Sequence, residues 1–457
     1  MEAAGHRVTV LDLSASGIDS RKLHEFRTLA DYTQSLIELV GSIPPEEKVV
    51  LIGHSFGGLS LGFVMDMFPR KISVAVFLAA FMPDSTHELS YVMDQYWERT
   101  LAEEWLDTKF LPYGTPDQPQ TSMVFGPNFI SSKGYQLCFV RGRGISKDVG
   151  KARFVKKECI LKRRLWVRKA GLHSVHGGQG YFEILHTAKK NKAMKSAKQL
   201  QVHIVLVHGA CHGAWCWYKL KPLLEAAGHR VTTLDLSASG IDSRSLHELS
   251  TFADYTQPLV ELMAAIPPQE KVVLVGHSFG GLSLALVMDM FPQKIGVAVF
   301  LAAFMPDSVH EPSYVINQYW ERTPAEEWLD TEFLTYGTPE QPLTSMFFGP
   351  NFVASKLYQL SLSEDVALAK MLLRPSSLFL EDLSRKSAFS KEGFGSVMRV
   401  YIVCTEDRAI PVNFQRWQIE TIGVAEVKEI ENADHMAMLS KPQQVCQCLL
   451  EIANNYV

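Results

Sequence analysis

The chain has 457 residues, 47% of them hydrophobic and 21% charged, with a formal net charge of −4. This is ordinary globular composition and length enough for two or three domains. It gives no general argument for nucleic acid or an anionic membrane as partner, and no apolar run reaches the ~18 residues needed to span a bilayer.

The N-terminus lacks a charged stretch followed by an apolar one, so no signal peptide is expected. Seven cysteines are scattered along the chain, several in apolar runs such as Val400–Cys404. They read as small buried hydrophobes in a reducing, cytoplasmic compartment rather than a disulfide framework. Cys446 and Cys448 sit in a helical pattern with no second pair, which argues against zinc.

Residues 2–137 recur as 225–360 at a constant offset of 223 and without a gap. Glu2–Thr9 matches Glu225–Thr232, and Phe77–Ser85 matches Phe300–Ser308. This is one long unit present twice, the first time incompletely, and not a solenoid period. The first copy has apolar strand patterns at 7–13, 48–54 and 72–81 but no counterpart of 203–223 or 361–457. Parallel strands bury both faces and need their neighbours. Residues 1–137 are therefore expected to be a truncated repeat without a complete active site, unable to fold stably alone. Residues 138–200 match neither copy and carry 17 Lys and Arg against 3 Asp and Glu. With no nucleic-acid motif beside the charge, the segment reads as a basic linker.

Residues 201–457 have the length of a complete domain. Apolar strand runs fall at 203–208, 230–236, 271–276, 295–303, 399–404 and 426–430. Helical patterns fall between them at 217–227, 251–265, 282–291, 413–422 and 442–455. Alternating strand and helix predicts an α/β fold with a mostly parallel sheet. Residues 307–385 interrupt the alternation, are rich in aromatic residues and proline, and end in a helical stretch at 364–373. They read as a cap over a site.

Gly276-His277-Ser278-Phe279-Gly280 lies between a strand and a helix, the form of a nucleophile elbow. The same letters recur as Gly53-His54-Ser55-Phe56-Gly57. A serine hydroxyl needs a base to take its proton and a carboxylate to fix that base. In the order Ser, acid, His, the acid is Asp407, just past the strand at 399–404. The base is His435, between the last strand and the following helix. Glu406 and Asp434 are the neighbouring carboxylates that could be mistaken for the acid. Oxyanion donors are expected at the N–H of Phe279 and at Ala210, in the loop after the first strand, where Gly209 leaves room. His208 and His212 in that loop have no carboxylate at ligand spacing, so neither a metal nor another cofactor is expected. Ser55 has no counterpart of Asp407, His435 or the Ala210 loop and is expected to be inert.

The blocks His208–Trp215, Leu234–Gly240, Gly276–Gly281, Phe300–Asp307 and Ala433–Met438 resemble the plant methylesterase family of the α/β-hydrolase superfamily. That family includes methyl salicylate and polyneuridine aldehyde esterases and is related to the hydroxynitrile lyases. The likeness covers 203–455, and 2–137 again. It implies Ser278, Asp407 and His435 as triad, with Ala210 and Phe279 as oxyanion donors. It places Phe304, Tyr319, Trp328 and Leu378 in a small-aromatic pocket. Where the resembling lyases carry threonine and lysine, this chain has Gly209 and Met436, which favours ester hydrolysis over the lyase reaction. Both positions are counted with the substrate-binding set. The implied substrates are methyl esters of small acids, such as methyl salicylate, methyl jasmonate or methyl indole-acetate. A hydroxynitrile lyase and a non-catalytic protein binding small aromatic hormones are the alternatives. No nucleic acid or membrane partner is expected, and a homodimer is left open.

Overall fold

The computed structural model describes residues 4–19, 21–115, 118–134, 201–338 and 341–457. The basic segment 138–200 lies outside them. The chain divides into two compact units, one of residues 1–100, 113–119 and 201–457, the other of 101–112 and 120–200.

Within 201–457 six strands form one sheet: β1 (His203–Val207), β2 (Arg230–Leu234), β3 (Val272–His277), β4 (Ile295–Leu301), β5 (Arg399–Cys404) and β6 (Glu426–Ile430). Their order is β6-β5-β4-β3-β1-β2, and every pairing is parallel. The central strands are uninterrupted apolar runs because helices cover both faces. Every residue of β1 and β3 is buried. The helices that follow the strands are α1 (Leu220–Ala226), α2 (Phe252–Ala265), α3 (Gly280–Met290), α6 (Val412–Ile422) and α7 (Pro442–Tyr456), while α4 (Tyr314–Arg322) and α5 (Ser363–Leu372) lie in the cap segment. Helix α2 starts at a capping box: Thr251 accepts the Asp254 N–H, and the Asp254 carboxylate accepts the Thr251 N–H. That satisfies two otherwise orphaned donors.

The chain leaves β1 toward β2 on one side and returns to β3 on the other. This reversal opens a crevice at the carboxyl ends of β1 and β3, where α/β sheets bind ligands. The cap segment contains a feature not anticipated from sequence, an antiparallel pair Glu332–Thr338 and Gln341–Phe347 extended by Ser376–Ser377. Prolines at 339 and 342 and mostly exposed positions hide it from any apolar alternation.

In the first copy, strands Val49–Ser55 and Ile72–Ala80 pair in parallel, with helices Leu29–Ser42 and Gly57–Met67. The expected strand at 7–13 does not form. Its counterpart β2 pairs with β1, and no such partner stands beside 7–13 among the described residues. Val50, Ile52 and Leu78 are 57%, 47% and 60% exposed, whereas their counterparts Val273, Val275 and Leu301 are fully buried. One face of this two-stranded sheet therefore lacks the cover that the same letters have in the second copy.

Candidate active site

Ser278 sits at the crevice with φ +54°, a left-handed backbone that L-residues adopt only under constraint. The turn around it needs glycine. A Cβ on Gly280 would lie 2.5 Å from the His208 carbonyl oxygen, and one on Gly276 would lie 2.6 Å from Leu284. Gly209 packs directly beneath the serine, where a Cβ would stand 2.8 Å from Ser278 Cβ.

Asp407 and His435 meet from the ends of β5 and β6. His435 Nδ1 donates to Asp407 Oδ2 at 2.7 Å, and both side chains are buried. The other carboxylate oxygen accepts the N–H groups of Ala409 and Ile410, each at 2.8 Å. A buried carboxylate held by this many donors has one orientation. With Nδ1–H committed to Asp407, Nε2 of His435 carries the free lone pair. Ser278 and His435 line the same pocket, although among the described residues Ser278 Oγ makes no hydrogen bond. His277 Nε2 donates to the His435 carbonyl oxygen at 2.8 Å. Burial pushes His277 well below the usual imidazole range, so its ring stays neutral beside that of His435.

The loop after β1 is shaped by its two histidines. His208 Nδ1 donates to the Gly209 carbonyl, and its Nε2 accepts the Leu236 N–H. His212 Nδ1 donates to the Ala210 carbonyl, and its Nε2 accepts the Tyr358 hydroxyl. Both rings are spent on holding the loop, and burial holds His212 down to about 3. Among the described residues no group of three or more His, Cys, Asp or Glu is placed to hold a metal.

The pocket and its mouth together hold about 460 Å³ of space not filled by atoms, open solvent included. Its wall includes Ala210, Ser278, Phe279 and His435 together with Phe304, Tyr319, Trp328 and Leu378, all named from sequence. Gly209 and Met436 are not part of that wall. Gly209 lies under the serine, and Met436 is fully buried in the core next to His435. Sequence reasoning missed Ile316, Trp320, Met346, Phe348, Phe352, Leu357, Ala409 and Ile410. Ile316 and Trp320 follow from the helical spacing around Tyr319, and Ala409 and Ile410 from their place after Asp407. Met346 belongs to the unforeseen hairpin and Phe348 follows it directly, and neither gave a signal. No Asp, Glu, Lys or Arg lines the pocket among the described residues. The Tyr319 hydroxyl is spent on the Ala409 carbonyl, which ties α4 to the Asp407 loop.

Ser55 repeats the elbow with φ +53°. It is exposed, as is His54, whereas His277 is buried.

A profile described as the alpha/beta hydrolase family matches residues 2–141 and 204–447. The chain is similar to salicylic acid-binding protein 2 of Nicotiana tabacum, 68% identical over 254 residues, covering 56% of this chain and 98% of that one. It is similar to methylesterase 1 of Arabidopsis thaliana, 55% identical over 263 residues, covering 57% and 100%. Among solved structures it resembles polyneuridine aldehyde esterase, with a TM-score of 0.55 and 57% identity over 56% of this chain and all of the other. Each of these relatives spans about half of the present chain. Among the described residues no helix is long and apolar enough to cross a membrane.

Proposed function

The chain belongs to the α/β-hydrolase family, and from that premise and the pocket geometry we propose that it is a serine esterase cleaving methyl esters of small carboxylic acids. The observation that carries this reading is the buried Asp407–His435 pair lining the same apolar pocket as the strained Ser278. Methylesterase 1 and polyneuridine aldehyde esterase, by name esterases, support the class.

In this reading Ser278 Oγ attacks the ester carbonyl while His435 Nε2 takes its proton. Asp407 holds the imidazole in the right tautomer and stabilises the imidazolium. The N–H groups of Ala210 and Phe279 receive the oxyanion of the tetrahedral intermediate. Collapse expels the methoxy group, which leaves as methanol with the proton from His435. A water, deprotonated by His435, then attacks the acyl-enzyme, and the proton returns to Ser278 as the acid leaves. The serine–imidazole hydrogen bond forms when the ester seats, as apo sites often leave it open. Walls without a formally charged carboxylate, ammonium or guanidinium suit a neutral ester with an aromatic or alicyclic acid part. Methyl salicylate, methyl jasmonate and methyl indole-acetate are esters of this kind.

The test is hydrolysis of these three esters and cleavage of mandelonitrile by the purified chain. Release of methanol and free acid is expected. Cleavage of mandelonitrile with no ester hydrolysis would overturn the reading in favour of a lyase, and binding without turnover of either would favour a hormone-binding protein.

A further inference from the structure

Four consecutive cap residues, Tyr358 to Ser361, reach the three loops that carry the proposed chemistry. The Tyr358 hydroxyl donates to His212 Nε2 at 2.7 Å, and His212 in turn holds the Ala210 carbonyl at 2.9 Å. Gln359 Nε2 donates to the carbonyl oxygen of Glu406, the residue before Asp407, at 2.6 Å. The Leu360 N–H and the Ser361 hydroxyl both donate to Asp434 Oδ2, at 3.0 and 2.9 Å, and Asp434 precedes His435. The second oxygen of Asp434 accepts the Ser440 hydroxyl at 2.6 Å, which fixes the carboxylate on the histidine's own loop. The Tyr358–His212 bond is buried and the Asp434 carboxylate is buried at the end of two part-buried bonds, so losing a partner there strands the other, whereas the Gln359 bond lies at the surface.

We propose that Tyr358–Ser361 is a strap that sets the mutual position of the oxyanion loop, the acid loop and the base loop, with Tyr358 and Asp434 as positioning residues. The proposal rests on the esterase reading for the roles of those loops. Asp434 and Glu406, the two carboxylates flanking the triad, then have their own tasks: one anchors the strap through its side chain, the other through its backbone. The acid and base loops are bonded directly to each other, through the Glu406 N–H to the Ala433 carbonyl and through Asp407 to His435, and the strap ties both of them to the oxyanion loop. It is short, and it leads directly into α5. A seated cap therefore aligns the triad, and a displaced cap misaligns it.

The experiment uses the full chain with two readouts: methyl ester turnover, and the rate at which a fluorophosphonate labels Ser278. Tyr358→Phe removes one oxygen, and Asp434→Ala removes the anchor. A misplacement of about 1 Å at reacting atoms is worth up to roughly 100-fold. Each variant is accordingly expected to slow labelling and kcat by about tenfold or more, with KM within about twofold, while the thermal midpoint falls only by the several degrees that a stranded buried partner is worth. Asp434→Asn keeps an acceptor for Leu360 and Ser361 and a donor for Ser440, so it should restore most of the rate. Labelling within twofold of wild type in Tyr358→Phe would overturn the strap. Asn as damaging as Ala at 434 would also overturn it, because charge and not the clasp would then matter. If Asp434→Ala fails to fold, the hydroxyl deletion at Tyr358 still decides. Labelling that slows as expected in a chain that cleaves no methyl ester would uphold the strap and refute the substrate class.

Discussion

Gly209→Ala tests the site at its tightest point. The added methyl would stand 2.8 Å from Ser278 Cβ, 3.1 Å from the His277 carbonyl oxygen and 3.3 Å from Ser278 Oγ. Carbon atoms in comfortable contact are about 3.5–4.0 Å apart, so the methyl and the seryl Cβ must part by roughly 1 Å. The serine cannot yield cheaply, because its backbone is already held in the left-handed region between Gly276 and Gly280. Overpacking of this kind costs about 1–3 kcal/mol in stability. The larger effect is on rate. A displacement of the attacking oxygen by this distance is worth about 30- to 100-fold in kcat, or ~2–3 kcal/mol of barrier. The apolar walls that hold the acid part are untouched, so KM should stay within about twofold. Steady-state hydrolysis of a methyl ester, with thermal unfolding as control, reads both quantities. A Gly209→Ala chain with kcat within threefold of wild type would refute the claim that this glycine sets the position of the nucleophile.

Three further outcomes are expected. Ser278→Ala should abolish ester hydrolysis while Ser55→Ala leaves it unchanged; equal losses would disprove a single site. Asp407→Asn should lower kcat by about 10³–10⁴-fold, because the amide cannot hold the His435 tautomer, and a loss under tenfold would remove Asp407 from the acid role. His212, at about 3 in the folded chain against ~6.5 unfolded, binds its proton more readily when unfolded. Its contribution to stability is complete above pH 6.5 and declines as pH falls toward 3, by about 2 kcal/mol at pH 5. Urea unfolding at pH 7.5 and pH 5 should show at least that drop in wild type, buried His277 adding to it, and a smaller one in His212→Phe; equal drops would refute the assignment.

The sheet was legible because strands buried on both faces are unbroken apolar runs, and β1, β3, β4 and β5 read that way. The placement of Ser278, Asp407 and His435 followed from chain order at strand ends, and the structure brings the acid and base together at 2.7 Å. Phe304, Tyr319, Trp328 and Leu378 came from family resemblance, not from any local pattern, and all four line the pocket. The hairpin at 332–347 was not legible because it is largely exposed and broken by proline. The strap was not legible for another reason. Gln359 and Asp434 are polar residues whose partners across the strap lie more than 40 positions away, and such contacts leave no periodic trace. Residues 7–13 show the converse: the apolar pattern is present, but a strand is a property of a pair, and the partner is missing among the described residues.

The two elbows differ by a single degree, φ +53° at Ser55 and +54° at Ser278. One stands in solvent with no acid or base beside it among the described residues, the other lines a pocket with a buried, hydrogen-bonded acid and base. The chain thus contains its own control experiment. Backbone tension at the nucleophile comes with the elbow and the neighbouring strand, whose Phe81 or Phe304 N–H bonds the serine carbonyl in each copy, and it survives the loss of the acid and base loops. A transplant of this strand–turn–helix block together with its neighbouring strand would carry the twist and arrive chemically silent. Shape at this serine is local property; reactivity is on loan from residues more than a hundred positions downstream.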